Sequence, residues 1–132
     1  MPLKGIPDTI TPELLYTLAK MGHGDSLVIA DANFPSDSVA AHTPSKVPIR
    51  IHGSTSDLLK DILQLFPLDQ YVPYSIQVMD RVDSDKERNL EVPAYRLLAE
   101  AAGKTVDEIE YVERFKFYDI AKESFAVVQT ND

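Results

Sequence analysis

The chain has no cysteine, which excludes disulfides and thiolate metal sites. It is short of cations: 13 Lys and Arg stand against 21 Asp and Glu, a formal charge of −8. That balance argues against a nucleic-acid partner, whose phosphates need Lys and Arg, and mainly predicts solubility. No apolar run approaches the roughly 18 residues that cross a bilayer, so no membrane partner is expected. The opening Met1-Pro2-Leu3-Lys4-Gly5 has no apolar signal-peptide core, and a cytoplasmic location is the default expectation. No Gly-x-Gly-x-x-Gly, P-loop or Gly-x-Ser-x-Gly is present, which weighs against nucleotide-binding and serine-hydrolase readings. His42 and His52 are isolated, and neither shows a metal-binding spacing. There is no internal repeat, low-complexity tract or separating linker. The 132 residues, with 44% hydrophobic and 26% charged, fit one soluble globular domain over 1–132 with a real core.

What is present alternates between helical and strand patterns. Thr11 can cap a first helix, with Pro12 at its first position and Glu13 at the positive end of its dipole. Leu14, Leu15, Leu18 and Met21 give it one apolar face, and Gly22 is placed to end it. Ser26 to Ala30 reads as a buried strand, which Asn33-Phe34-Pro35-Ser36 breaks. Residues 36–47 read as a loop and Val47 to Ile51 as a second strand. Thr55 or Ser56 is expected to cap the next helix, whose stripe is Leu58, Leu59, Ile62, Leu63 and Leu65 and which Pro67 closes. Tyr74 to Val78 reads as a third strand, and residues 80–91 as a charged, exposed stretch. Pro93 opens a helix that Gly103 ends. Ile109 to Val112, Phe117 to Lys122 and Phe125 to Gln129 read as strand, short helix and strand. The expectation is a layered α/β domain. Asn131-Asp132 is a turn-like pair after an apolar strand, a pattern that ordinarily leads to another strand.

Chemistry concentrates at three places. In Met21-Gly22-His23-Gly24-Asp25, flanking glycines let the backbone turn and present an imidazole. His23 reads either as a polar side chain at a helix C-terminus or as a general acid or base, since histidine titrates near neutrality. Asp25 reads as a turn residue that bonds nearby amides. Asp31 reads as a strand-ending turn residue, or as a site carboxylate at a strand end in an α/β domain. A histidine and a carboxylate at one sheet edge suit proton transfer on a polar substrate. Arg114 reads as a surface partner of Glu113 or Glu110, or as a planar donor for sugar hydroxyls or a carboxylate. Phe115, Phe117 and Tyr118 read as core, with a sugar-stacking aromatic as the alternative.

Taken together, the segments Thr11 to Leu15, Met21 to Asp25, Ala30-Asp31-Ala32-Asn33-Phe34-Pro35, Asp57-Leu58-Leu59, Pro67-Leu68-Asp69-x-Tyr71, Glu113-Arg114-Phe115-x-Phe117-Tyr118 and Phe125 to Val128 carry a resemblance. In that order they resemble the ribose pyranase/fucose mutarotase family over nearly the whole chain. Gly24 and Arg114 favour its fucose-type branch.

The resemblance implies a small α/β sandwich that interconverts the α and β anomers of a free monosaccharide, L-fucose or a similar sugar, without a cofactor or metal. It implies His23 as proton donor, Asp31 and Arg114 as sugar-binding residues, and a homo-oligomer with sites near subunit interfaces. Two departures stand out. Family members continue past the last strand into a Tyr-Gly-Asn segment and a further strand, before which this sequence stops. His52-Gly53 stands where many fucose-type members have Asp-Gly. The alternatives are a non-catalytic monosaccharide-binding or regulatory protein, a structural subunit, and a ribose-type pyranase.

Overall fold

A computed structural model describes residues 3–89 and 92–132. Thr11 caps helix α1 (Pro12–Lys20), its hydroxyl accepting the Leu14 N–H at 3.2 Å. Leu14 and Leu18 are its buried residues, and Met21, extended, ends it one residue before Gly22. Strand β1 (Leu27–Ala30) follows, then helix α2 (Ser36–Ala40) and the short strand β2 (Ile49–Arg50). Helix α3 (Thr55–Leu63) leads to β3 (Gln77–Met79). Helices α4 (Asp83–Glu87) and α5 (Pro93–Ala101) precede β4 (Glu110–Val112). Helix α6 (Arg114–Lys122) and strand β5 (Ala126–Gln129) complete the order.

The strands form two parallel sheets, one in the order β1-β5-β2 and one pairing β3 with β4. Period-2 alternation along β5 sends neighbouring side chains to opposite faces. Val127 joins Val28 and Ala30 against Val39 and Ala40 of α2 and Ala121 of α6. Val128 joins Leu14 and Leu18 of α1 and Leu58 and Ile62 of α3, with Leu27 and Ile29 packed on that side. Helices therefore cover both faces, and the central strand is apolar throughout its buried stretch, as parallel strands require. A smaller cluster of Val78, Ala99 and Ile109 seats α5 on the β3–β4 pair. This is the expected layered α/β architecture. Among the described residues no helix is long and apolar enough to cross a membrane.

Several local expectations need correction, among them the third strand, which runs Gln77–Met79 rather than from Tyr74 to Val78. Residues 36–47 are not all loop, because Val39 and Ala40 bury against the sheet and wind Ser36–Ala40 into α2. Ser54, not Thr55 or Ser56, caps α3, accepting the Asp57 N–H at 3.1 Å, because the Thr55 hydroxyl turns 3.0 Å from that of Thr130. Helix α6 begins at Arg114 rather than Phe117, since the Glu113 carboxylate accepts the Lys116 N–H at 2.9 Å and caps it. Within 80–91, Asp83–Glu87 is helical, and Asp80 is largely shielded, with its carboxylate 2.7 Å from the Lys86 ammonium. Leu90 and Glu91 of that stretch, and Met1 and Pro2 of the opening, lie outside the described residues.

Candidate active site

A cavity of 1280 Å³ runs along β1, an edge strand of its sheet, and His23, Asp31 and Arg114 all line it. His23 sits on the turn before β1, and Asp31 directly follows the strand. The Asp25 carboxylate accepts the Gly22 N–H at 2.8 Å, while the Asp25 N–H donates to the Gly22 carbonyl at 3.1 Å. These two bonds close the turn, and Gly24 takes its left-handed position at φ +91°. The imidazole is consequently presented at the tip, with 70% of the side chain exposed.

The carboxylate beside the imidazole is Asp69, not Asp31. His23 Nε2 lies 3.7 Å from Asp69 Oδ2, and the Tyr71 ring meets the imidazole edge-on at 5.7 Å. Asp69 and Tyr71 come from the loop after α3. That loop has no periodicity that would mark a site, and only the Pro-Leu-Asp-x-Tyr segment could have flagged it. Asp31 accepts the Asn33 N–H at 3.0 Å, so it ends the strand as an Asx turn while facing the cavity.

Arg114 lies on the first turn of α6. Its Nε–H donates to the Tyr118 hydroxyl at 3.0 Å, and its guanidinium stacks near the Phe115 and Tyr118 rings at 5.7 and 5.8 Å. The surface ion pair with Glu113 or Glu110 does not form: Glu113 caps α6 and Glu110 accepts from Gln77. The hydrogen bonds from the Lys116 and Phe115 amides hold the Glu113 carboxyl below its usual range. Phe34 meets Tyr118 and Phe117 edge-on at 5.7 and 6.0 Å, which fixes this aromatic wall beside Asp31. Phe117 and Phe34 pack on the core, whereas Phe115 is exposed, contrary to a core role.

Met79, Leu97 and Leu98, with the Tyr95 ring, supply much of the apolar lining. The Tyr95 hydroxyl donates to the Met79 carbonyl at 2.6 Å, and burial together with the Asp80 charge pushes it up to about 12. The charged lining is mostly carboxylate: Asp25, Asp31, Asp69 and Asp132 against Arg114. Carboxylates only accept hydrogen bonds, so such a lining suits a neutral ligand rich in hydroxyl donors. Among the described residues no group of three or more His, Asp or Glu side chains is arranged to hold a metal ion.

Residues 4–132 match the RbsD / FucU transport protein family. A fucose mutarotase of Danio rerio is 53% identical, the alignment covering 98% of this chain and 85% of that protein. The crystal structure of FucU from Bifidobacterium longum superposes with a TM-score of 0.86 at 38% identity, covering 98% of this chain and 90% of that one. The structure of the fucose mutarotase from Streptococcus pneumoniae in complex with L-fucose superposes at 0.77 with 39% identity, covering 98% and 89%.

Proposed function

Because the chain belongs to the RbsD / FucU family, we propose that it interconverts the α and β anomers of L-fucose by opening and closing the sugar ring. The observation that carries this reading is the His23–Asp69 pair at 3.7 Å in a carboxylate-lined cavity. In the mechanism, protonated His23 gives its Nε2 proton to the ring oxygen. Asp69 takes the proton of the anomeric hydroxyl. The bond between the anomeric carbon and the ring oxygen breaks, leaving an aldehyde and a new hydroxyl. Rotation about the adjacent carbon–carbon bond turns the aldehyde over. Closure runs the two proton transfers backwards, so acid and base are both regenerated.

An acid and a base side by side match two oxygens bonded to one carbon. Proton transfer of this kind contributes about 10²–10⁴-fold. Asp31 accepts sugar hydroxyls at one end of the cavity. Arg114, its guanidinium held by Tyr118, donates to ring or hydroxyl oxygens. The apolar wall of Met79, Leu97 and Leu98 faces the methyl-bearing side of a 6-deoxy sugar. The chain's own residues supply every proton needed, so the reading calls for no cofactor. A homo-oligomer is part of the same reading, supported by the exposed Tyr71 and Leu97 of the cavity lining and the exposed Val72 and Tyr74 that follow Tyr71 in the chain.

The test is saturation-transfer NMR on the two anomeric protons of L-fucose. Exchange above buffer that disappears in His23→Ala supports the mutarotase. L-fucose binding without exchange would instead favour a sugar-binding protein, and neither would sink the sugar reading.

A further inference from the structure

We propose that Thr130, outside the cavity, is the positioning residue that sets Asp31. The inference rests on Asp31 being a sugar-binding carboxylate. Thr130 is 2% exposed, and its hydroxyl stands at a three-way junction. It donates to the Ala30 carbonyl at 3.1 Å, lies 3.0 Å from the Thr55 hydroxyl, and accepts the Asp132 N–H at 3.3 Å. A hydroxyl has one proton and two lone pairs. With its proton on Ala30, Thr130 must accept from Thr55, and its capacity is then full.

The junction brackets Asp31 from both sides. Before it, the Ala30 carbonyl receives both the Thr130 hydroxyl and the Thr130 N–H, the latter at 2.9 Å. After it, the Ala32 N–H donates to the Asp132 main-chain oxygen at 2.7 Å. Asp132 is itself tied to the start of α3, its side chain accepting the Thr55 N–H at 2.7 Å. Asn131 exchanges two bonds with Gly53, its N–H donating to the Gly53 carbonyl at 3.1 Å and its side-chain oxygen accepting the Gly53 N–H at 2.9 Å. Asp31 itself bonds within its own turn, its side chain accepting the Asn33 N–H and its carbonyl the Phe34 N–H at 3.3 Å. Its place in the cavity is therefore set largely by its neighbours, and Thr130 is the buried group that ties the end of β1 and the residues after β5 to the start of α3. Asp31, Thr55 and Asp132 all face the same cavity, so a loosened junction moves one polar wall of it.

Thr130→Val keeps the shape and removes all three side-chain bonds, whereas Thr130→Ser keeps the hydroxyl. The first measurement is amide hydrogen exchange at Ala32 in the full chain without sugar. The expected result is exchange about tenfold faster in Thr130→Val, the loss of one ordinary hydrogen bond, and near wild-type exchange in Thr130→Ser. Unchanged exchange at Ala32 in folded Thr130→Val overturns the proposal whatever the protein does with sugars. The second measurement is L-fucose affinity by calorimetry in a cycle with Asp31→Asn. Thr130→Val is expected to weaken binding about tenfold on the wild-type background and hardly at all on Asp31→Asn. Equal loss on both backgrounds overturns it, since Thr130 would then act on binding by another route. Should Thr130→Val fail to fold, Thr55→Val removes the donor to the same junction and is read in the same two ways. A wild-type chain that binds no L-fucose defeats the sugar reading and leaves the amide measurement to decide the positioning.

Discussion

His23 Nε2 faces Asp69 Oδ2 across 3.7 Å, on two loops that both line the cavity. The two residues are far apart in sequence, and each loop is ordered by its own turn: Asp25 on Gly22 for one, Asp69 Oδ1 on the Tyr71 N–H at 2.9 Å for the other. One Asp69 oxygen thus braces its loop while the other faces the imidazole. His23→Ala is expected to slow anomer exchange about 10²–10⁴-fold, and Asp69→Asn to slow it by a similar factor. The double variant should be little slower than either alone, because acid and base serve one step. Exchange rates by saturation transfer, with thermal melting to establish folding, check this. Multiplying losses would separate the two roles.

Arg114 makes a prediction of a different kind. Its Nε–H is spent on Tyr118, and the guanidinium carbon lies 5.7 and 5.8 Å from the centres of the Phe115 and Tyr118 rings. Lysine keeps the charge but offers neither the fork nor the stacking surface. Arg114→Lys is expected to weaken L-fucose binding about tenfold, and Tyr118→Phe to weaken it less, by freeing the guanidinium to reorient. Calorimetric titration of both variants measures the difference. Equal affinity in Arg114→Lys and wild type would mean that only charge matters at this position.

Gly24 tests the turn that carries the imidazole. An added Cβ would meet nothing within 4 Å, so crowding is not the obstacle. The backbone is: at φ +91° an L-residue is strained. Gly24→Ala is expected to cost about 1–2 kcal/mol of stability, or to relieve that strain by reshaping the turn and lowering exchange activity. Urea unfolding read beside the anomer-exchange rate distinguishes the two, and no change in either would show the turn to be tolerant.

Legibility from sequence followed the range of the interaction. The Thr11 cap, the Leu14–Leu18 face and the apolar Ala126-Val127-Val128 run are local patterns with one physical solution each, and they are found where periodicity puts them. The Asp25 turn was equally local. Ser36–Ala40 was hidden because Pro35 and two serines read as loop, and only burial of Val39 and Ala40 against the sheet makes it a helix. The cap of α3 was misplaced because Thr55 spends its hydroxyl on Thr130, a contact 75 residues away. The same holds for the site. His23 and Asp31 stand out by residue type and local context, and Arg114 only through the Glu-Arg-Phe-x-Phe-Tyr segment that carries the resemblance. Asp69 becomes visible as the imidazole's neighbour only when the loop after α3 folds back over the turn before β1. Strand order was likewise beyond reach, since nothing local says that β5 slots between β1 and β2.

Asp80 gives a pH prediction whose sign follows from its surroundings. Burial works to raise its carboxyl. The hydrogen bond from Lys86, the Arg81 N–H at 2.8 Å and the charges of both residues outweigh it, so the folded value lies below the ordinary 3.8. Near that pH the unfolded chain therefore binds more protons at this site than the folded one. The stabilisation is complete above 3.8 and is lost as pH falls through the folded value. The pair is partly exposed, with 20% of the Asp80 side chain and 42% of Lys86 accessible, so screening limits its worth to about 1 kcal/mol or less. Asp80→Asn is expected to lower the urea midpoint at neutral pH by the equivalent of that amount. The gap from wild type should then narrow as the pH is taken below 3.8. A gap that stays constant into acid would mean that the loss comes from packing at the end of β3 and not from charge.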